Sequence, residues 1–346
     1  MSENPNTNPP ASKLAGFREI FDNEELLVDA ICERFFREHP DYNERFRQIC
    51  REDTAHNIRY LACSVESGSF DLFHFYLLWL RELLEKRDIP VQHLTESLAL
   101  MRKELEPWLQ EEVLVTTRDY LERGMELLEM PWSEIPATET EPELKEPAAR
   151  YLDRILAGDR HGADQFISEL SAQGLGYVDL IVDVIQPAMV QTGRLWQSNV
   201  ISVAQKHLAT AITHNTLARC LMLAEPGDPI ASSAIFACVE GNQHSLGLMI
   251  TSDAFELEGW KTHYLGANTP QSSLLHYIRE TGPDLVGLSI SLPQHILQVR
   301  DLVEAVRGEK IGKQPFILVG GHLTEQLAPC STTMAPTGSA AASATA

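Results

Sequence analysis

The chain has 346 residues, enough for two or three domains, and its 44% apolar content supplies a core for each. A formal net charge of -21 and a pI near 4.9 exclude a nucleic-acid surface over most of the molecule, because neutralising phosphates takes clustered Lys and Arg. No direct nucleic-acid partner is expected. The six cysteines, Cys32, Cys50, Cys63, Cys220, Cys238 and Cys330, form no CxxC pair, so they signal neither a zinc site nor a disulfide framework and read as reduced cytosolic thiols. The polar start MSENPNTNPPAS lacks an apolar signal core, and no run approaches the roughly 18 apolar residues of a membrane span. The expectation is a soluble, cytoplasmic protein with no membrane contact.

Residues 1–12 are rich in Asn and Pro and are expected to be disordered. From Phe17 to about Leu128 apolar residues recur at helical spacing, for example Leu26, Leu27, Ala30, Ile31, Phe35 and Phe36, and no strand is convincing. Helices are also expected from about Val91 to Leu105, ended by Glu106-Pro107, and from Trp108 to Leu128. Residues 13–130 therefore read as an all-helical, sensor-like domain, either a small bundle or a globin-like fold; periodicity does not choose between them. Its aromatic stripe Phe70, Phe73, Phe75, Tyr76 and Trp79 reads most simply as core. The segment 131–147, PWSEIPATETEPELKEP, is acidic, holds four prolines and reads as a solvated linker.

A second helical unit is expected over 148–228, with helices near 148–157, 159–173, 175–192 and 199–223 punctuated by Gly158, Gly174 and Pro187. Their number and length fit a four-helix bundle. Over 229–330 the pattern becomes alternating strand and helix: strands Ala231–Val239, Thr262–Tyr264, Leu285–Ser289 and Phe316–Val319, with helices near 245–258, 270–281 and 293–307. Repeated βα units predict a parallel, doubly wound sheet of flavodoxin type. The fold class is thus α/β plus all-α. Residues 331–346, STTMAPTGSAAASATA, form a low-complexity stretch and read as a disordered tail.

The apolar run Ile230 to Val239 is followed by Glu240-Gly-Asn-Gln-His244-Ser-Leu-Gly247, which delivers a histidine at the carboxyl end of a buried strand, where open parallel sheets place their ligands. Alone, such a histidine is more often structural. Asn242-x-His244-x-x-Gly247, however, resembles the Asp-x-His-x-x-Gly signature of cobalamin-binding domains, with Asn in the Asp place. Upstream, Trp196 followed after nine residues by Lys206-His207 resembles the cap helices of methionine synthase and of MerR-type light-dependent repressors. Those carry Glu where Lys206 stands, and the repressors often carry His where Gln197 stands. Tyr264-Leu-Gly266-Ala-Asn268-Thr-Pro270, Leu288-Ser289-Ile-Ser291-Leu292 and Val319-Gly320-Gly321 resemble the family's remaining strand-end segments. The family ordinarily adds a further helix and a fifth strand after the glycine pair; here Leu323 to Cys330 leads into the low-complexity stretch, so the sheet is expected to be either a four-stranded variant or altered at its end.

The resemblance implies a cobalamin cofactor, with adenosylcobalamin expected. It implies that His244 is the lower axial cobalt ligand beside Asn242 and Gly247, that the nucleotide tail runs past Gly266, Ser289, Ser291, Leu292, Gly320 and Gly321, and that Trp196, Val200, Lys206 and His207 cover the upper face. A neutral Asn242 accepts a hydrogen bond without donating charge to the metal, unless Glu240 takes that role; this moves the expectation from methyl transfer toward sensing. The pairing with a helical N-terminal domain resembles photocobilins and implies a second chromophore, biliverdin or another bilin, for which Cys32, Cys50, Cys63, His56 and His74 are available contacts. The expected function is a light-responsive adenosylcobalamin photoreceptor rather than an enzyme, acting on an unknown protein partner or effector domain and forming a homo-oligomer. The alternatives are a corrinoid shuttle for methyl transfer and a scaffold whose cobalamin is structural.

Overall fold

The computed structural model describes residues 20–21, 23–135, 144–308, 313–321 and 323–324. The expected disordered segments 1–12 and 331–346 lie outside the described residues. No described helix is long and apolar enough to cross a membrane. The chain divides into two compact units, one of residues up to Ile135 and one of residues 136–324.

The first unit is helical: α1 (Glu24–Glu38), α2 (Glu44–Ser67), α3 (Asp71–Glu85), α4 (Gln92–Leu105) and α5 (Glu111–Glu129). Each buries one stripe, as Leu27, Ile31 and Phe35 do on α1. Asn43 caps α2 by accepting from the Phe46 N–H at 3.0 Å, and Gly68, in the left-handed region at φ 70°, ends it. The aromatic stripe is core only in part. Phe73 and Tyr76 are buried, but Phe75 and Trp79 are 45% and 38% exposed, because the buried face of α3 is set by Leu72, Leu77, Leu80 and Leu84. The expected linker also starts late. The Trp132 indole donates to Glu85 at 2.8 Å beneath the Arg81 guanidinium, 4.5 Å from its ring, and Ile135 is buried, so these residues belong to the helical unit.

The second unit begins with four helices: α6 (Glu146–Leu156), α7 (Arg160–Ala172), α8 and α9 (Val203–Leu223). In α8, Tyr177–Asp179 runs through a π-helical stretch, Leu180–Ile185, into Gln186–Gln197. Pro187 does not break it: a proline lacks the N–H that the preceding turn would use, and the widened turn ahead of it absorbs the ring. The third helix thus extends past the expected end at 192 and carries Trp196 in its last turn. The Asn199 turn (φ 58°) follows, and α9 starts at Val203, where Ser202 and Gln205 form a reciprocal capping box.

The remainder is β1 (Ser233–Cys238), α10 (Leu246–Leu257), β2 (Lys261–Gly266), α11 (Gln271–Thr281), β3 (Leu285–Ser289), α12 (Gln294–Gly308) and β4 (Phe316–Gly320). The sheet is wholly parallel in the order β2-β1-β3-β4. β1 and β3, the two central strands, are buried almost throughout. Helix α10 lies between two cores: Leu248 packs with Ala234, Phe236 and Leu285 under the sheet, while Leu246, Met249, Ile250 and Leu257 pack on the bundle core of Tyr151, Phe166, Ile181 and Ile212.

Candidate functional site

From β1 the chain moves to β2 on one side and, by way of β2, to β3 on the other, so β1 and β3 flank the point where the strand order reverses. At the strands' carboxyl ends, this is the place where open parallel sheets hold their ligands. The loop after β1 is fixed on all sides. Gly241, at φ 81°, lets the backbone turn, and its N–H donates to Asn268 Oδ1 at 2.7 Å. The Asn268 N–H donates back to the Asn242 carbonyl at 3.0 Å, and the Thr269 N–H to Cys238 at 3.1 Å. Beneath the loop the Cys238 thiol donates to the His244 carbonyl at 3.6 Å, its pKa pushed up to about 11 by burial, with Ser289 hydrogen-bonded beside it.

Asn242 is 0% exposed and joins two strand ends. Its Oδ1 accepts from the His244 main-chain N–H at 3.0 Å, and its Nδ2 donates to the Ser289 carbonyl at 2.9 Å. A carboxylate here has no hydrogen to donate and would face that carbonyl oxygen, which gives a physical reason for Asn in the Asp place. Glu240 instead accepts from the Gln271 N–H at 3.5 Å. The His244 residue itself is exposed at the loop crest. One imidazole is one ligand, so a metal held here must bring the rest of its coordination sphere with it, as a corrin ring does.

The β3 end is built by a residue the motifs did not flag. His295, 1% exposed on α12, accepts from both the Ser291 and Leu292 N–H groups at 3.2 Å and so shapes the Ser289 to Leu292 turn. Its only sequence signal is a histidine in an amphipathic helix. The glycine pair splits in role. Gly321, at φ 117°, lies so close to Ile290 that an added Cβ would overlap the Ile290 carbonyl, whereas a Cβ at Gly320 meets nothing within 4 Å. Gly320 therefore borders open space beside Ser289, its register partner, and leaves room for an extended group. Gly247, at the start of α10, is equally open, and Gly266 turns the chain at φ 79°.

Over the bundle, the Lys206 ammonium sits 4.2 Å from the Trp196 ring centroid, a cation–π contact, and burial lowers its pKa. Val200 is 67% exposed and His207 is exposed as well. Val203, His207 and His214 follow at helical spacing on one face of α9, and His214 Nε2 stands 3.5 Å from the hydroxyl of Ser245, the neighbour of His244. Seven residues of helix rise about 10 Å, so His207 lies about 10 Å along α9 from that contact. Tyr264 donates to the Ser245 carbonyl at 3.4 Å from the sheet side. His214, whose pKa is lowered by burial, is a second residue that no motif marked.

These residues fit a corrinoid: an exposed imidazole at the switch point, open backbone at Gly320, and an aromatic–cation pair with exposed aliphatics on the cap. Comparison with known proteins agrees. Residues 147–221 and 232–332 each match a B12 binding domain. The chain thus carries a helical B12 binding domain followed by a Rossmann-like one, and it is homologous both to HTH-type transcriptional repressors and to corrinoid proteins. It is 24% identical over 187 residues to the corrinoid protein DSY3155 of Desulfitobacterium hafniense, covering 51% of this chain and 85% of that one. It is 33% identical over 89 residues to the HTH-type transcriptional repressor CarA of Myxococcus xanthus, covering 26% of this chain and 31% of the repressor. A dimethylamine corrinoid protein of Methanosarcina acetivorans is 28% identical, with 39% of its length covered. Among solved structures, the Methanosarcina barkeri monomethylamine corrinoid protein superposes with a TM-score of 0.45 at 20% identity, over 50% of this chain and 82% of that one. Neither family match reaches residues before 147.

Proposed function

We propose that the chain is a regulatory cobalamin protein in which His244 is the lower axial ligand, the tail passes Gly320 beside Ser289 and Ser291, and Trp196, Val200, Lys206 and His207 cover the upper side. Bound adenosylcobalamin would supply a cobalt–carbon bond that light can break. The protein's own part is to hold the cap closed through Trp196 and Lys206 and to offer the exposed His207 imidazole on the upper side once it is vacated. The observation that carries regulation over methyl transfer is the Lys206 ammonium held on the Trp196 ring, which ties the two cap residues to each other where the resemblance has Glu beside the Trp. Asn242 agrees, since its amide is engaged by two main-chain groups and brings no charge to the axial ligand. The kinship with two Myxococcus xanthus repressors supports the same reading.

The test is the visible spectrum and the oligomeric state of protein loaded with adenosylcobalamin, in the dark and after green light. A lasting spectral shift with a change in association state is expected, and His207→Ala should give a lit spectrum that differs from that of lit wild type; lit and dark spectra identical to wild type would remove the His207 role. Identical lit and dark behaviour would reject light regulation. The finer form of this reading places a bilin in the helical unit, supported by the stacked Tyr60 and Tyr76 rings, 3.9 Å apart, next to Trp79. Biliverdin added to the protein should then give a red band shifted from that of free pigment; an unshifted band rejects it. A corrinoid shuttle is favoured by the match to DSY3155 over most of that protein's length, and rapid methylation of the reduced protein by a methyltransferase would support it.

A further inference from the structure

We propose that His214 is a positioning residue for the lower axial ligand: through Ser245 it ties the His244 loop to α9, the helix that carries Lys206 and His207, so that loss of the upper ligand is passed to the loop that holds His244. This rests on the cobalamin function proposed above and adds a coupling between the two faces of the ring.

Ser245 stands at the N-cap of α10, where a serine ordinarily turns its hydroxyl to accept a main-chain N–H of the first turn. It makes no such bond. Its hydroxyl instead stands 3.5 Å from His214 Nε2 of α9, and the residue is only 7% exposed, so the contact is shielded from water. A local bond is thus forgone for one to a residue 31 positions away. The Ser245 carbonyl is held as well, accepting from the Met249 N–H at 2.9 Å and from the Tyr264 hydroxyl at 3.4 Å. His244 itself is fixed by Asn242 Oδ1, which accepts from the His244 N–H, and by the Cys238 thiol, which donates to the His244 carbonyl. Asn242, Cys238, Met249 and Tyr264 all belong to the Rossmann-like domain; His214 reaches in from the helical bundle.

Helix α9 is unbroken from Val203 to Leu223, so Lys206 and His207 near its start and His214 two turns further on move as one rod. At 3.5 Å the His214 contact is at the long end of hydrogen-bond reach, and packed helices shift by about 1–2 Å between states, which is enough to break it. A movement of α9 that answers to the upper ligand therefore frees Ser245, and with it one support of the His244 main chain. The groups that orient a ligating histidine set how well it binds its metal, so the lower face responds to the upper.

The experiment measures hydrogen exchange of the peptide spanning residues 242–249 in the full chain, loaded either with adenosylcobalamin or with cob(II)alamin, which has no upper ligand. Exchange about threefold faster in the cob(II)alamin form is expected, the effect of losing one weak hydrogen bond. In His214→Leu the two forms should exchange alike, at the faster rate, and the same peptide should also exchange faster than wild type in protein without cofactor. His214→Gln, whose amide nitrogen stands where the imidazole Nε2 does, should restore the wild-type difference. Wild type with equal exchange in both loaded forms overturns the coupling, and this arm needs no variant to fold; so does a folded His214→Leu that keeps the wild-type difference. Wild type that takes up no cobalamin sinks the proposed function itself, and the coupling with it.

Discussion

Single atoms decide the site. At Gly321 a methyl group would have to displace the Ile290 main chain while the backbone holds φ 117°, so Gly321→Ala should lower stability by about 3 kcal/mol or more, seen as a large fall in melting temperature. Gly320→Ala meets nothing within 4 Å and should melt like wild type. If the nucleotide tail runs over Gly320, the same methyl should weaken cobalamin binding about tenfold, or about 1.4 kcal/mol, by titration. Unchanged affinity would remove Gly320 from the tail path. Asn242 is equally specific. Asn242→Asp gives up the hydrogen bond to the Ser289 carbonyl and sets a carboxylate against it, which should cost about 1–3 kcal/mol in urea unfolding. A variant as stable as wild type would show that the amide's donor is not needed.

At the scale of elements, the joint between cap and sheet is α10, and its polar pin is Asp253. The Tyr177 hydroxyl of α8 donates to Asp253 Oδ2 at 3.1 Å, with Glu256, Cys220 and Tyr264 also nearby. Burial, and then Glu256, push the Asp253 pKa up to about 6 against that hydrogen bond. The unfolded value is near 3.9, so between about pH 4 and pH 6 the native state binds the proton more tightly than the unfolded chain. Stability contributed here is therefore present at low pH and lost as pH rises through 6, by about 3 kcal/mol. Asp253→Asn keeps an acceptor for Tyr177 and removes the charge. It should match wild type near pH 4 and exceed it in stability at pH 7.5; equal stabilities at both pH values would contradict the shift.

The elements themselves were legible. The apolar runs of β1 and β3, the βα spacing and the four helices of the cap follow from periodicity, because burial on two faces or one stripe writes itself into the sequence. What was not legible depends on partners distant in sequence. Periodicity ends the third cap helix near 192 with Pro187 inside it, yet the π-helical stretch carries α8 on to Trp196. Phe75 and Trp79 share their helix with Tyr76, and which side faced the core depended on packing that spacing alone could not supply.

For the whole molecule, the motifs pointed to His244, Gly320, Trp196 and Lys206, but the residues that hold them had no signature. His295 shapes the turn after β3, Cys238 sits beneath the His244 loop, and His214 joins that loop to the cap. Each acts through a backbone atom or one contact across the fold, which a linear pattern does not record. Even the departure at Asn242 acquired its physical reason only when the register of β1 against β3 put the Ser289 carbonyl beside it.

The central claim is that this fold binds cobalamin through His244. It is tested most directly by electron paramagnetic resonance of the protein loaded with cob(II)alamin, prepared with ordinary histidine and with histidine labelled with nitrogen-15. The account predicts a nitrogen superhyperfine pattern that changes from triplets to doublets on labelling and is lost in His244→Ala. Triplets indifferent to the label would mean that the cofactor's own base keeps the lower position, and would contradict it.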